Sequence, residues 1–379
     1  MDVRTFIDNL EATGEARDYI NAARTQFGIR LPTGDHPYPF AAVMPLVERE
    51  NLFEEEAMYF LQTAAYDATR YSPIVPDQAM RSDGYTVKLG TQDKGIEIDG
   101  RNYDTLVRLA RAGRVPALNS FMQTLLDTSV VVPLLDKIEL HRTQAIVEGT
   151  VTLVGKNGFG YAVPFANPTG HRVTIASGTT GAPTGWYDDS YDPMEDIKAK
   201  RDQMGGCTHI FARSTLAGVL QGNAQIKAYS GRASISLAGG VTLRAGSATR
   251  QDIQDLMSSE GLPPITINNA QYRDEAGNLQ YFLRDTAFVM LNTNEVDQEQ
   301  YGQNPDGDIP LFDEGTGLGY VGNGYPAGRL NPGRHLKLEY VDNGKAPHVG
   351  AVATQTTGPV LRNSEAVQRL AVLNIPEPS

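Results

Sequence analysis

The hydrophobic positions of this chain change period several times, and each change marks an element. Val3, Phe6, Ile7 and Leu10, then Tyr19, Ile20 and Ala23, recur at three-to-four spacing, which predicts two short amphipathic helices interrupted near Gly14. The text FGIRLPTGDHPYPF that follows holds three prolines, so it is expected to run extended over a surface, as an arm that needs a partner to lie on. Beyond PDQAMRSDG, Tyr85, Val87 and Leu89 alternate with Thr86 and Lys88, and Ile96 and Ile98 alternate again. These runs predict a projecting hairpin with a polar tip at residues 77 to 84, including Gln78, Arg81, Ser82 and Asp83.

The longest helical pattern comes next. Leu118, Phe121, Met122, Leu125 and Leu126 form one stripe, and after Pro133 it resumes with Leu134, Leu135, Ile138, Arg142, Ala145 and Ile146 before Gly149, a natural C-terminal stop. Pro133 suits a kink or the first turn of a second helix; a continuous rod of about 33 residues would span roughly 50 Å. Leu125, Leu126, Leu135 and Ile138 are expected to face a sheet. TVTLV, YAVPF and HRVTIAS then read as strands between glycine-rich turns, PMEDIKAKRDQM as a helix, CTHIFA as a strand, and TLAGVLQG as a helix with Ser214 as its N-cap. RQDIQDLMSSEG gives a further helix ended by Gly261, and YRDEAGNLQYFLRD a hairpin turning at residues 275 to 278. After the apolar TAFVMLN, residues 293 to 332 read as a long polar loop, and HLKLEYV, HVGAVATQT and RLAVLNI as closing strands. The class is α+β.

Composition narrows the possibilities. Hydrophobic residues at 40% with 38 Gly and 22 Pro describe a turn-rich globular chain rather than a disordered one. The longest apolar run, near residues 130 to 135, is far short of the roughly 20 residues a bilayer helix needs. The N-terminal text has no basic and apolar signal pattern, so the expected place is the cytoplasm where it is made. A single cysteine, Cys207, excludes disulfide frameworks and cysteine zinc clusters within one chain and reads as a small buried residue. The net charge of −12 disfavours tight nucleic-acid binding by the folded surface.

Candidate chemistry is weak throughout. Gly317, Gly319 and Gly322 match G-x-G-x-x-G, yet Gly324 and Pro326 leave no room for the helix a dinucleotide site requires. The pairs Gly155-Lys156 and Gly344-Lys345 lack the Ser or Thr of a phosphate loop. Asn304, Asp306, Asp308 and Asp313 imitate a calcium loop, but its first position would be Gly302 and its final Glu is the shorter Asp313. Histidines 36, 141, 171, 209, 335 and 348 show no metal spacing, and no G-x-S-x-G occurs. No catalytic, cofactor-binding or metal residue is assigned, and no enzyme activity is expected.

The order of elements is the informative signal: arm, projecting hairpin, a long helix ending at RTQAIVEGTVTLVG, an α+β unit opening with DPMEDI, CTHIFARSTLAGVLQGN, and the Y-x-D-x-x-G-x-x-x-x-F hairpin. That order resembles the major capsid proteins of tailed bacteriophages, the Hong Kong 97-like shell fold and in particular the lambda capsid protein E-like group, over roughly residues 55 to 375. The resemblance implies an N-terminal arm at 1–57, an extended loop at 58–103, a peripheral domain with its spine helix at 104–192, an axial domain at 193–290, and a return to the peripheral domain at 291–379. It implies self-assembly into hexamers and pentamers of an icosahedral shell enclosing double-stranded DNA without sequence-specific binding. Portal and possibly scaffold or decoration proteins would be partners, with assembly in the host cytoplasm and no membrane. One branch of the fold joins a loop lysine covalently to a neighbour's asparagine, which draws attention to Lys88, Lys94, Asn343 and Asn363; the expectation here is no cross-link. The alternatives are an encapsulin-like compartment and, from another class, a β-rich hydrolase or glycan-binding protein.

Overall fold

The computed structural model describes residues 2–13, 38–60, 80–154, 160–177, 185–230, 235–237, 241–243, 247–274, 276–293, 318–326, 331–342 and 347–374. The expected helix near Tyr19, the calcium-like run, most of the polar loop, the two Gly-Lys pairs and Asn343 lie outside these residues.

The first stripe forms α1 (Val3–Thr13), which buries Val3, Phe6, Ile7 and Leu10. These four join the core that the helix at Gly100–Arg111 and the central sheet share, so α1 lies on its own chain. A 3₁₀ turn at Pro39–Ala41 leads to β1 (Leu46–Glu48). β2 (Leu52–Phe60) and β3 (Met80–Lys88) then pair antiparallel, with no third strand beside them among the described residues, Leu52 opposite Lys88 and Phe60 opposite Met80. β4 (Gly90–Ile98) and α2 (Gly100–Arg111) follow. The expected hairpin is corrected here: Tyr85 pairs with Glu55, whereas Ile96 pairs with Ala351 in the central sheet. Ile98 is buried and Ile96 packs beside it under the helices, a one-sided burial that a projecting ribbon could not provide. β4 therefore belongs to the central sheet, and the strand that β3 pairs with is β2. α2 is an element that the hydrophobic pattern above does not predict.

The long helix is continuous and not purely α-helical. α3 (Val115–Leu126) passes through a π turn at Asp127–Val131 into α4 (Val132–Thr143), and a second π turn at Gln144–Glu148 ends at Gly149, whose φ of +68° closes the helix as expected. The backbone N–H of Val132 reaches the Asp127 carbonyl, five residues back. That wider turn accommodates Pro133, which lacks an N–H and whose ring would press on the carbonyl four residues earlier. It also sets the buried face. Leu118, Met122, Leu126, Val130, Leu134 and Ile138 are all buried at a spacing of four. In a straight α-helix that spacing drifts by about 40° per step, and the wide turn takes up the drift. Leu134 is consequently the fully buried residue, and Leu125 and Leu135 are only partly covered.

β5 (Thr150–Val154) and β6 (Gly160–Pro164) pair antiparallel, and β7 (Arg172–Ser177) precedes α5 (Pro193–Gln203), capped by the Asp192 carboxylate accepting the Met194 N–H. β8 (His209–Ala212), α6 (Ser214–Gly222), α7 (Ala224–Tyr229), the ribbon β9 (Ile235–Leu237) and β10 (Val241–Leu243), α8 (Arg250–Ser259) and β11 (Ile265–Ile267) complete the α+β unit. Ser214 is not an N-cap acceptor: its N–H and hydroxyl both donate to Asn269 Oδ1, across 3.2 and 3.1 Å. β12 (Gln271–Arg273) and β13 (Leu279–Tyr281) form the expected hairpin, and β14 (Ala287–Leu291) is wholly buried. The mixed sheet runs β11-β8-β14, then β18 (Val367–Asn374) and β7.

The polar-loop assignment for residues 293–332 also needs correction, because Gly319–Gly324 is a buried strand, β15. It pairs parallel with β1 and antiparallel with β17 (His348–Leu361), which holds β4 along one edge and β16 (His335–Val341) followed by β15 along the other. A Cβ at Gly319 would collide with the Val360 carbonyl oxygen, and one at Gly322 would meet Leu89 Cδ2 at 3.0 Å. Gly319 and Gly322, two of the glycines that imitate a nucleotide motif, thus admit close strand packing. Phe40, Ile138, Phe211, Val289, Val321 and Leu361 join the two sheets through one core.

Candidate assembly surfaces

Two features stand at the ends of otherwise well-packed elements. The first is the root of the β2–β3 ribbon. Leu89 is buried against Gly322 and Gly358, and its N–H donates to the Asn51 carbonyl at 3.0 Å. The Asn51 side-chain amide donates to the Tyr325 carbonyl and accepts the Tyr325 N–H, both at 2.7 Å. The ribbon therefore leaves the central sheet from a fixed base, while Leu52 just beyond it is 60% exposed.

The second is the clamp that holds residues 38–44 on the long helix. Tyr38 donates its hydroxyl to Asp136 at 2.8 Å, and Glu139 accepts the Phe40 N–H at 2.9 Å. Arg142 donates to the Met44 carbonyl at 2.8 Å and to Glu139 at 3.1 Å. Both charged groups are buried, so desolvation pushes Glu139 up to about 7 despite the pull of Arg142, and holds Arg142 below its usual value. Burial likewise raises Asp136 to about 6, opposed by its bond from Tyr38. An ion pair inside an apolar interface gives little net stability but fixes one docking geometry, since sliding by a residue would strand both charges. The apolar stripe includes Arg142, and its partner Glu139 lies outside that stripe in the sequence pattern. The signal was the Glu139-Arg142 spacing of three on a helix.

Elsewhere the titratable groups do not converge. His141 is buried, with both ring nitrogens unpartnered and its pKa driven down to about 3 by desolvation. Cys207 is pushed up to about 12 by burial, the reverse of what a nucleophilic thiol needs. No group of three His, Cys, Asp or Glu side chains that could hold a metal occurs among the described residues, and no helix there is long and apolar enough to cross a membrane. Of the residues singled out for cross-linking, Lys88 stands at the ribbon base and Lys94 in β4 opposite Ala353, both exposed. Asn363 is occupied by a turn, its Oδ1 accepting the N–H groups of Glu365 and Ala366.

No protein-family model matches this chain, and no curated protein does. Solved structures do. A prophage protein from E. coli CFT073, described as a capsid protein, superposes with a TM-score of 0.56 at 14% identity, covering 95% of this chain and 99% of its own. A phage-related protein from Bordetella bronchiseptica RB50 gives 0.52 at 12% identity, covering 93% and 95%. End-to-end superposition of both chains establishes that this chain has the Hong Kong 97-like phage capsid shell fold.

Proposed function

We propose that this chain is a major capsid protein, a non-enzymatic subunit that self-assembles into the hexamers and pentamers of an icosahedral head enclosing double-stranded DNA. The observation that carries the reading is the β2–β3 ribbon: a long antiparallel pair that, among the described strands, pairs with no third strand and is held on a rigid base. An isolated two-stranded ribbon is marginal in water, so it calls for a second surface. In a closed shell that surface is a neighbouring copy, and each copy supplies and receives one. The domain plan then becomes an arm up to the clamp at 38–44, an extended loop at 52–88, a peripheral domain built on the long helix and the β17 sheet, and an axial domain over the β8–β14 sheet. An acidic subunit suits a container that must not trap its DNA.

Electron microscopy and ultracentrifugation of the purified protein test this. Closed shells are expected, and replacing residues 53–87 with a short Gly-Ser turn should leave circular dichroism unchanged while abolishing them. A protein that stays a compact monomer at every concentration and salt sinks the proposal. Shells that carry a cargo protein in place of DNA would favour the encapsulin-like alternative.

A further inference from the structure

The exposed side of α2 is basic on an otherwise acidic chain. Arg101, Arg108 and Arg111 fall on one face of the helix, opposite the buried Leu106 and Ala110, and Arg114 follows in the next turn; all four arginines are exposed. Asp104 lies in the same stripe, one turn before Arg108, yet none of the four guanidinium groups has a carboxylate within 4.0 Å among the described residues. The helix dipole accounts for Arg108 and Arg111 in the last turn. It opposes Arg101 in the first turn and does not reach Arg114, so the folding of α2 does not explain the full set.

The same chain carries the complementary charge. β2 reads LFEEEAMYF, with Glu54, Glu55 and Glu56 at the register positions opposite Thr86, Tyr85 and Gly84. Within one copy the ribbon departs from one end of β4 and α2 begins at the other, so the two surfaces are separated by the length of that strand.

We infer that the arginine face of α2 receives the Glu54–Glu56 stretch of the ribbon from a second copy of this chain. The inference rests on the shell reading above and names the two surfaces that meet. Duplex DNA is the competing polyanion, but Asp99 precedes the four arginines and Asp104 lies among them, a balance better matched to three carboxylates than to a duplex with one phosphate per roughly 1.7 Å.

The test is a charge swap in the full chain. R101E/R108E/R111E should fold normally and lower shell yield about tenfold at 0.1 M salt, where exposed charges are weakly screened. Adding E54R/E55R/E56R to the same chain should restore the yield, and the glutamate reversal alone should reproduce the defect. Assembly of the arginine variant at parental yield overturns the inference, as does a defect that the glutamate reversal fails to repair. Empty shells at parental yield that fail to retain duplex DNA would assign the face to nucleic acid and also overturn it. A parental chain that never assembles sinks the shell reading and this one together, whereas a parent that forms shells indifferent to the swap sinks only this one.

Discussion

Truncating Arg142 to methionine tests the clamp most severely. The guanidinium satisfies the Met44 carbonyl and the Glu139 carboxylate in a site where Glu139 is fully buried. Its loss leaves Glu139 with the Phe40 N–H as its remaining hydrogen bond, and breaking a buried pair from one side costs about 3–5 kcal/mol. Glu139 can escape by binding a proton. Its folded pKa is already raised to about 7, so stability tied to the protonated form is complete below the ordinary carboxylate value near 4.5 and is lost as pH rises through 7. The variant pushes that pKa higher, so its penalty should be small at pH 5, about 1–2 kcal/mol for the orphaned Met44 carbonyl and lost packing, and full at pH 8. For 379 residues the unfolding entropy near the midpoint is roughly 0.8 kcal/mol/K, so 4 kcal/mol corresponds to about 5 °C in Tm. Thermal unfolding of the unassembled subunit at both pH values measures this, with Glu139→Gln/Arg142→Met expected to lose less than the single variants combined. A pH-independent loss, or one below about 1 kcal/mol at pH 8, would refute the reasoning.

Other expectations follow from the same coordinates. Burial raises Asp127 in the π turn to about 6 and leaves both oxygens unpaired, so its neutral form is favoured; Asp127→Asn should stabilise the subunit at pH 8 and have little effect at pH 4, read from denaturation midpoints. Leu134→Ala should cost about 2–5 kcal/mol in chemical unfolding, and Leu135→Ala clearly less, because only Leu134 is fully covered. Gly319→Ala places a Cβ on backbone that cannot move aside, so the variant should be recovered largely insoluble, whereas Gly277→Ala, at an open turn with positive φ, should lose only about 1 kcal/mol. Boiled shells should run on a denaturing gel as monomers, since Asn363 is engaged within its own turn; a ladder would contradict that.

What the sequence conveyed and what it hid divide along physical lines. Periodicity located α1, the long helix and its Gly149 stop because those signals are local, set by side chains three and four apart and by one left-handed glycine. It failed where pairing is decided at a distance. β4 looked like half a hairpin because its alternation is the same whether its neighbour is β3 or a strand 250 residues later; only the demand of Ile98 for a covered face settles the choice. β15 looked like a loop because glycine contributes no apolar signal, even though every residue of GYVGNG is buried. Pro133 left open a break or a kink, and the third outcome, a π turn, shifts the buried position from Leu135 to Leu134.

The same division bears on how folding and assembly are kept apart. The elements that complete the subunit bury apolar stripes, a force that acts as soon as the chain collapses and does not distinguish one copy from another. The surfaces proposed for assembly are built differently: a ribbon with three successive glutamates, a helix face whose arginines meet no carboxylate among the described residues, and a base fixed by a two-way amide pair at Asn51 and Tyr325. Exposed charges steer and select partners while adding little affinity each, so a subunit bearing them stays separate until many contacts can form together. In the proposed shell, closure would depend on the ribbon meeting its receiver at a fixed angle, which would make the rigidity of the root as important as the charges. Asn51→Ala would remove both bonds to Tyr325 and leave every charge in place. Fewer or misshapen shells from a subunit of near-parental stability would show that the angle, and not attraction alone, decides whether the lattice closes; regular shells at parental yield would show that charge suffices.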